Sequence, residues 1–267
     1  MGIESIIGSK DKDVFIEYAH HNAEKYELNE KPFDYTEGMI DKCWELMSDR
    51  DNYRSLYNAS NATLWIHDNI RMYGDITTMK YRSASETFND RIGECVDRTF
   101  LLITMNNLMG IDSGFVSVIK NCNGDNSPHV CAYVHDPEEG VVLIDAALYG
   151  YDAPHKKYAL YDRETTKRFY ETYCDALNRR DTEDFKKYLD EFDRLDRRLA
   201  GMPEINTQQS FGNYTPQNFN NSSGGTPFFT PSNAILSIGG AIGIRIFLPE
   251  VYFGLIETIE HLFNVNF

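Results

Sequence analysis

Five cysteines, at positions 43, 95, 122, 131 and 174, are the residues best suited to covalent chemistry, and their surroundings differ. A thiol attacks an amide carbonyl only as thiolate, so a nucleophilic cysteine needs stabilised negative charge, a base for its proton and donors for the developing oxyanion. Cys95 follows Gly93-Glu94 and opens the apolar run CVDRTFLLITMNNLM. That pattern predicts a helix starting at the thiol, whose N-terminus supplies partial positive charge and free backbone N–H groups. His129 opens HVCAYVH, a predicted strand whose alternation places His129, Cys131 and Tyr133 on one face and Val130, Ala132 and Val134 on the other. One face can thus meet the helix. Asp145 ends VVLID, the neighbouring strand, where across a hairpin it can accept a hydrogen bond from the second ring nitrogen and fix the tautomer.

The other thiols lack this setting. Cys131 shares the His129 face but sits in mid-strand, where no helix terminus supports a thiolate, so packing is the expected role. Cys122 lies in an Asn/Gly/Asp loop and is expected to be exposed; Cys43 and Cys174 lie on amphipathic helices and are expected in the core. An odd cysteine count without a CxxC pair suggests neither a disulfide framework nor a zinc site. Asp97 and Arg98 are expected to pair on the helix surface or to brace the site. His20, His21, His67, His135 and His155 show no metal-ligand spacing and receive no role.

The elements that must position these groups follow from periodicity. Residues 11–27 and 35–48 read as amphipathic helices, and a third runs through SNATLWIHDNIRMYG, stopped at Gly74. Ser83 or Ser85 caps a short helix before Gly93 breaks the chain. The helix from Cys95, closed by Gly110, is apolar on nearly every side and is predicted to be central. Strands are predicted at 114–119, 129–135 and 141–145, the last two joined as a hairpin through Asp136-Pro-Glu-Glu-Gly140. After Ala153 the chain reads as charged and helical to Gly201. Helices followed by antiparallel strands give the α+β class.

At these motifs the sequence resembles the transglutaminase-like superfamily, whose pattern is Gly-x-Cys on a helix, His on a strand and Asp on the next. The runs GECVDRTFLLITMNNLMGIDSGFVSV and HVCAYVHDPEEGVVLIDAA carry it, with similarity over about residues 62–150. The resemblance implies a papain-like α+β core with a central helix on an antiparallel sheet, extra flanking helices, and thiol-based acyl transfer at an amide by Cys95, His129 and Asp145. The family's further oxyanion donor is unassigned, with Tyr81 and Asn89 in the relevant stretch.

Three functions fit: cysteine-dependent amide hydrolysis through a thioester, acyl transfer from protein glutamine to an amine by the same triad, or an inactive binding module of this fold. No cofactor is required; a peptide or protein is the expected substrate. With 26 basic against 41 acidic residues, the formal charge of −15 repels phosphate backbones and argues against nucleic acid. The N-terminus lacks the pattern of a secretory signal, so a reducing cytoplasm is expected. The catalytic domain is expected over 1–205, an Asn/Ser/Gly/Pro-rich flexible linker over 206–233 and an apolar helical segment over 234–267. Residues 234–256 suit a contact with a membrane or a partner chain, although Arg245, Pro249 and Glu250 interrupt them.

Overall fold

A computed structural model describes residues 11–47, 55–72, 80–148, 150–151, 153–179 and 182–202. The chain divides into two units, 1–74 with 80–201, and 75–79 with 202–267. All elements described below belong to the first. The linker and tail expected at 206–267 lie outside the described residues.

Helix α1 (Lys12–Lys25) starts where the Asp11 carboxylate accepts from the Asp13 N–H, and it buries Phe15, Ala19, Asn22 and Ala23 along one face. Helix α2 (Glu37–Leu46) buries Met39, Ile40 and Cys43, and α3 (Ser55–Asn69) buries Ala59, Ala62 and Ile66. Helix α3 both begins and ends earlier than its sequence pattern suggests, and Leu64, counted among its periodic apolar residues, is exposed. Ser83 caps α4 (Ala84–Asp90) in a full capping box with Glu86.

Helix α5 (Cys95–Leu108) is the centre of the fold, buried from Val96 to Leu108. A helix apolar all round must be surrounded, and α1 to α4 and the sheet pack about it. Some of its polar residues are paired into that interior, whereas the Asn107 side-chain amide is buried without a hydrogen-bond partner among the described residues. Thr104 donates to the Phe33 carbonyl, and Asn106 donates to Ser113 Oγ, which donates to the Tyr133 carbonyl. Gly110 ends the helix at φ +78°, and a Cβ there would lie 1.9 Å from the Tyr18 hydroxyl, so both conformation and space require glycine.

The chain then forms β1 (Ser113–Lys120), β2 (Asn126–Asp136), β3 (Gly140–Asp145), β4 (Gly150–Tyr151) and β5 (Lys157–Tyr161). They make one antiparallel sheet in the order β4-β3-β2-β1-β5. The β2–β3 hairpin is as the sequence predicts. Strand β5 corrects the expectation that the chain becomes helical after Ala153: Lys157–Tyr161 pairs along β1 and buries Ala159 and Tyr161. Helices α6 (Arg163–Arg168), a π-helical turn (Phe169–Cys174), α7 (Asp175–Arg179) and α8 (Thr182–Leu199) follow. Phe100 of α5 stacks on Phe115 of β1 at 5.6 Å, and Phe115 meets Tyr161 and Phe169, so one aromatic cluster joins the central helix, the sheet and the returning helices. The class is α+β, a central helix on an antiparallel sheet with flanking helices. No helix among the described residues is long and apolar enough to cross a membrane.

Candidate active site

Cys95 is the first residue of α5, so its N–H is one of those the helix cannot use internally. The approach to it is cramped: a Cβ on Gly93 would lie 2.8 Å from the Asp97 Cβ and 3.0 Å from Thr87 Cγ2, which makes this glycine a matter of space. The Asp97 carboxylate folds back over that turn, accepting from the N–H groups of Glu94 at 2.9 Å and Arg82 at 2.8 Å. Arg98 is buried and donates to the carbonyls of Gly93, Ala146 and Ile70. It thereby ties the Cys95 turn to the residue after Asp145. Asp97 and Arg98 therefore brace this turn from the interior, which corrects the expectation of a surface pair: burial sends each to backbone partners. Burial raises the carboxyl groups of Glu94 and Asp97 to about 7, and the charge of Glu94 adds to the effect at Asp97.

The side of β2 packed in the main core is the one carrying Val130, Ala132 and Val134. Cys131 and Tyr133 face a second apolar cluster with Val116, Val118 and Leu143. Of the two faces that alternation separates, the one carrying Val130, Ala132 and Val134 is thus the one in the core with α5. His129 lies near the start of β2, beyond Ala132↔Ile144, the last rung of the β2–β3 ladder. Extending that register makes Asp145 a diagonal neighbour of His129. The imidazole Nε2 and Asp145 Oδ2 are 2.6 Å apart, both side chains at most 2% exposed. With that nitrogen engaged and Nδ1 buried without another partner, Nδ1 is the ring atom left to the Cys95 thiol. Burial alone would lower the imidazole pKa, but the Asp145 charge and hydrogen bond, with a smaller contribution from the nearby Cys95, raise it to about 10. The three residues singled out in the sequence thus meet at one place. Cys95 is partly exposed, whereas Cys43, Cys131 and Cys174 are buried and their thiols pushed up by desolvation; Cys122 is exposed.

Asp145 is surrounded by donors. Its Oδ1 accepts from the N–H groups of Ala147 at 3.0 Å and Leu148 at 3.2 Å. Its Oδ2 takes His129 and, at 3.4 Å, Nε2 of His155. Burial would raise this carboxyl, but the His129 charge and bond, the His155 bond and the backbone donors hold it well below the usual carboxylate range. Sequence spacing assigns His155 no role; its contact depends on the loop after β3 folding back, which no local pattern announces. The ligand atoms of His129, Asp145 and His155 lie within 4.8 Å of one another. A tetrahedral zinc with ligands at about 2.0–2.1 Å needs them about 3.3 Å apart. The 2.6 Å separation of His129 and Asp145 suits a shared proton instead. Burial pushes the Tyr81 phenol well up, with the nearby Tyr173, Cys174 and Cys95 adding to it, while Asn89 is exposed.

No protein-family model matches the chain. No curated protein matches it either. Among solved structures, the chain is similar to the crystal structure of a "Putative Cysteine Protease" from Cytophaga hutchinsonii, at 16% identity and a TM-score of 0.34, over 49% of this chain and 53% of that one. The match spans about half the length of that structure.

Proposed function

We propose that the protein is a cysteine-dependent amidase or peptidase of the transglutaminase-like, papain-like kind. The observation that carries the reading is the 2.6 Å contact between the buried His129 imidazole and the ionised Asp145, close to the partly exposed Cys95 at a helix N-terminus. A raised imidazole pKa favours the imidazolium that a thiolate requires as its partner.

In the first half-reaction the Cys95 thiolate forms a C–S bond at the amide carbonyl, and the carbonyl π electrons move to oxygen. The Cys95 N–H can donate a hydrogen bond to that oxyanion. As the C–N bond breaks, the His129 imidazolium gives its proton to the departing amine. In the second, neutral His129 removes a proton from water as the C–O bond forms, and the C–S bond then breaks to restore thiolate and imidazolium. Asp145 stays ionised throughout and orients the ring. An amine in place of water gives acyl transfer with the same groups.

The test is to incubate the full chain with a glutamine-bearing peptide, with and without a primary amine, and read products by mass. Free acid supports hydrolysis, an amine conjugate supports transfer, and a Cys95-linked acyl adduct trapped at low pH supports the shared first step. Product formation that survives Cys95→Ala would overturn the reading.

A further inference from the structure

Asp145 receives two imidazoles, and only one of them faces the thiol. His155 is held independently of His129. The Ala153 N–H donates to the Leu143 carbonyl at 3.0 Å, His155 N–H to the Ala153 carbonyl at 2.8 Å, and Lys156 N–H to the Lys120 carbonyl at 3.0 Å. The loop is thereby pinned to β3 and to the end of β1, with the His155 side chain 3% exposed against Asp145. The two rings meet edge to face, with centroids 5.7 Å apart.

Nδ1 of His155 is buried without a hydrogen-bond partner. A proton there would be stranded, whereas a bare lone pair costs less. The tautomer best accommodated is thus the one with the proton on Nε2, pointing at Asp145 Oδ2. In that tautomer it donates to the same oxygen that His129 uses, from a different direction. Ala147 and Leu148 hold the other oxygen.

We infer that His155 is a positioning residue, a second imidazole that fixes the direction in which Asp145 presents its oxygen to His129. The inference deepens the proposed amidase reading and rests on it for its catalytic consequence, though not for the geometry it asserts. His155 does not touch substrate. At 3.4 Å its bond is the longer of the two, so it orients the carboxylate while the 2.6 Å bond carries the proton.

Two variants separate hydrogen bonding from packing. His155→Gln keeps a donor without the ring, and His155→Phe keeps the ring without a donor. The first readout is the low-field proton resonance expected of the 2.6 Å His129–Asp145 bond, observed on the folded full chain with circular dichroism as the fold control. The second is the pH profile of Cys95 alkylation by iodoacetamide. Expected is a resonance retained in H155Q and broadened or moved upfield in H155F. In H155F the alkylation rate near pH 6 falls about tenfold, what one hydrogen bond to a charged group is worth, and H155Q stays within about twofold of the unmodified chain. A resonance and profile unchanged in a folded H155F, or lost equally in both variants, would overturn the inference. If the resonance follows this pattern but Cys95 in the unmodified chain shows no reactivity at low pH, positioning stands and the amidase reading fails.

Discussion

Three carboxyl groups flank the start of α5 and all are buried, yet the structure sets them apart in charge. Asp145 is 1% exposed and held well below the usual range, while Asp97 at 0% and Glu94 at 2% are raised to about 7. Burial is common to them, so it cannot be what separates them. The difference lies in the partners. Asp145 has four donors on two oxygens, one of them on an imidazole that accepts positive charge. Asp97 has two neutral backbone donors and an acidic neighbour in Glu94. A buried carboxylate keeps its charge where donors and a cation converge on it, and yields it where only shape is satisfied. On one side of Cys95 the fold fixes a charge for use; on the other it builds a scaffold.

The comparison can be broken first at Asp145. Asp145→Asn removes the acceptor and favours the wrong tautomer of His129. With a free-thiol pKa of about 8.5, under 1% of an unsupported thiol is ionised at pH 6, so Cys95 labelling there should fall about 10²-fold. Stability should also lose its acid-side support. Asp145 has a lowered folded pKa, so its contribution is present above the unfolded value near 4 and disappears as pH falls through the folded one.

On the scaffold side, Arg98→Met strands the carbonyls of Gly93, Ala146 and Ile70 and should cost about 2–4 kcal/mol, seen as a lower urea midpoint at constant slope. Arg98→Lys should recover little, because one ammonium cannot span three separated carbonyls. Asp97→Asn turns one acceptor into a donor facing a backbone N–H and should cost about 1–3 kcal/mol in the same assay.

At Glu94 the expected effect is one of pH dependence. Its folded pKa and that of Asp97 are raised, so the folded state holds more protons than the unfolded one between about pH 4 and 7. Stability from these groups is therefore full below about pH 4 and declines as pH rises toward 7. Glu94→Gln should flatten that decline by up to about 1.4 kcal/mol per pH unit, measured by denaturant unfolding across the window. Equal slopes in both proteins would show that Glu94 is ionised at neutral pH.

Much of this was legible in the chain and some was not, for identifiable reasons. The start of α5 shows plainly because Gly93 leads into a run with no polar side, and the hairpin shows because Pro137 and Gly140 sit where the turn needs them. Strand β5 was hidden: KKYALY is short and flanked by charge, and its partner β1 lies far upstream. Alternation partitioned β2 correctly into two sets but not which set faces α5, since a sheet covered on both sides offers apolar residues to each. The contact of His155 with Asp145 was invisible because it comes from a loop return, with no period to betray it.

The proposed chemistry requires Cys95 to react as a thiolate beside a protonated His129. Its most direct test is the pH dependence of iodoacetamide labelling, resolved by peptide mass, with the exposed Cys122 as an internal reference. Cys95 should be labelled well below the pH at which Cys122 reacts, and should lose that advantage in His129→Ala. Parallel profiles for the two cysteines in the unmodified protein would contradict it.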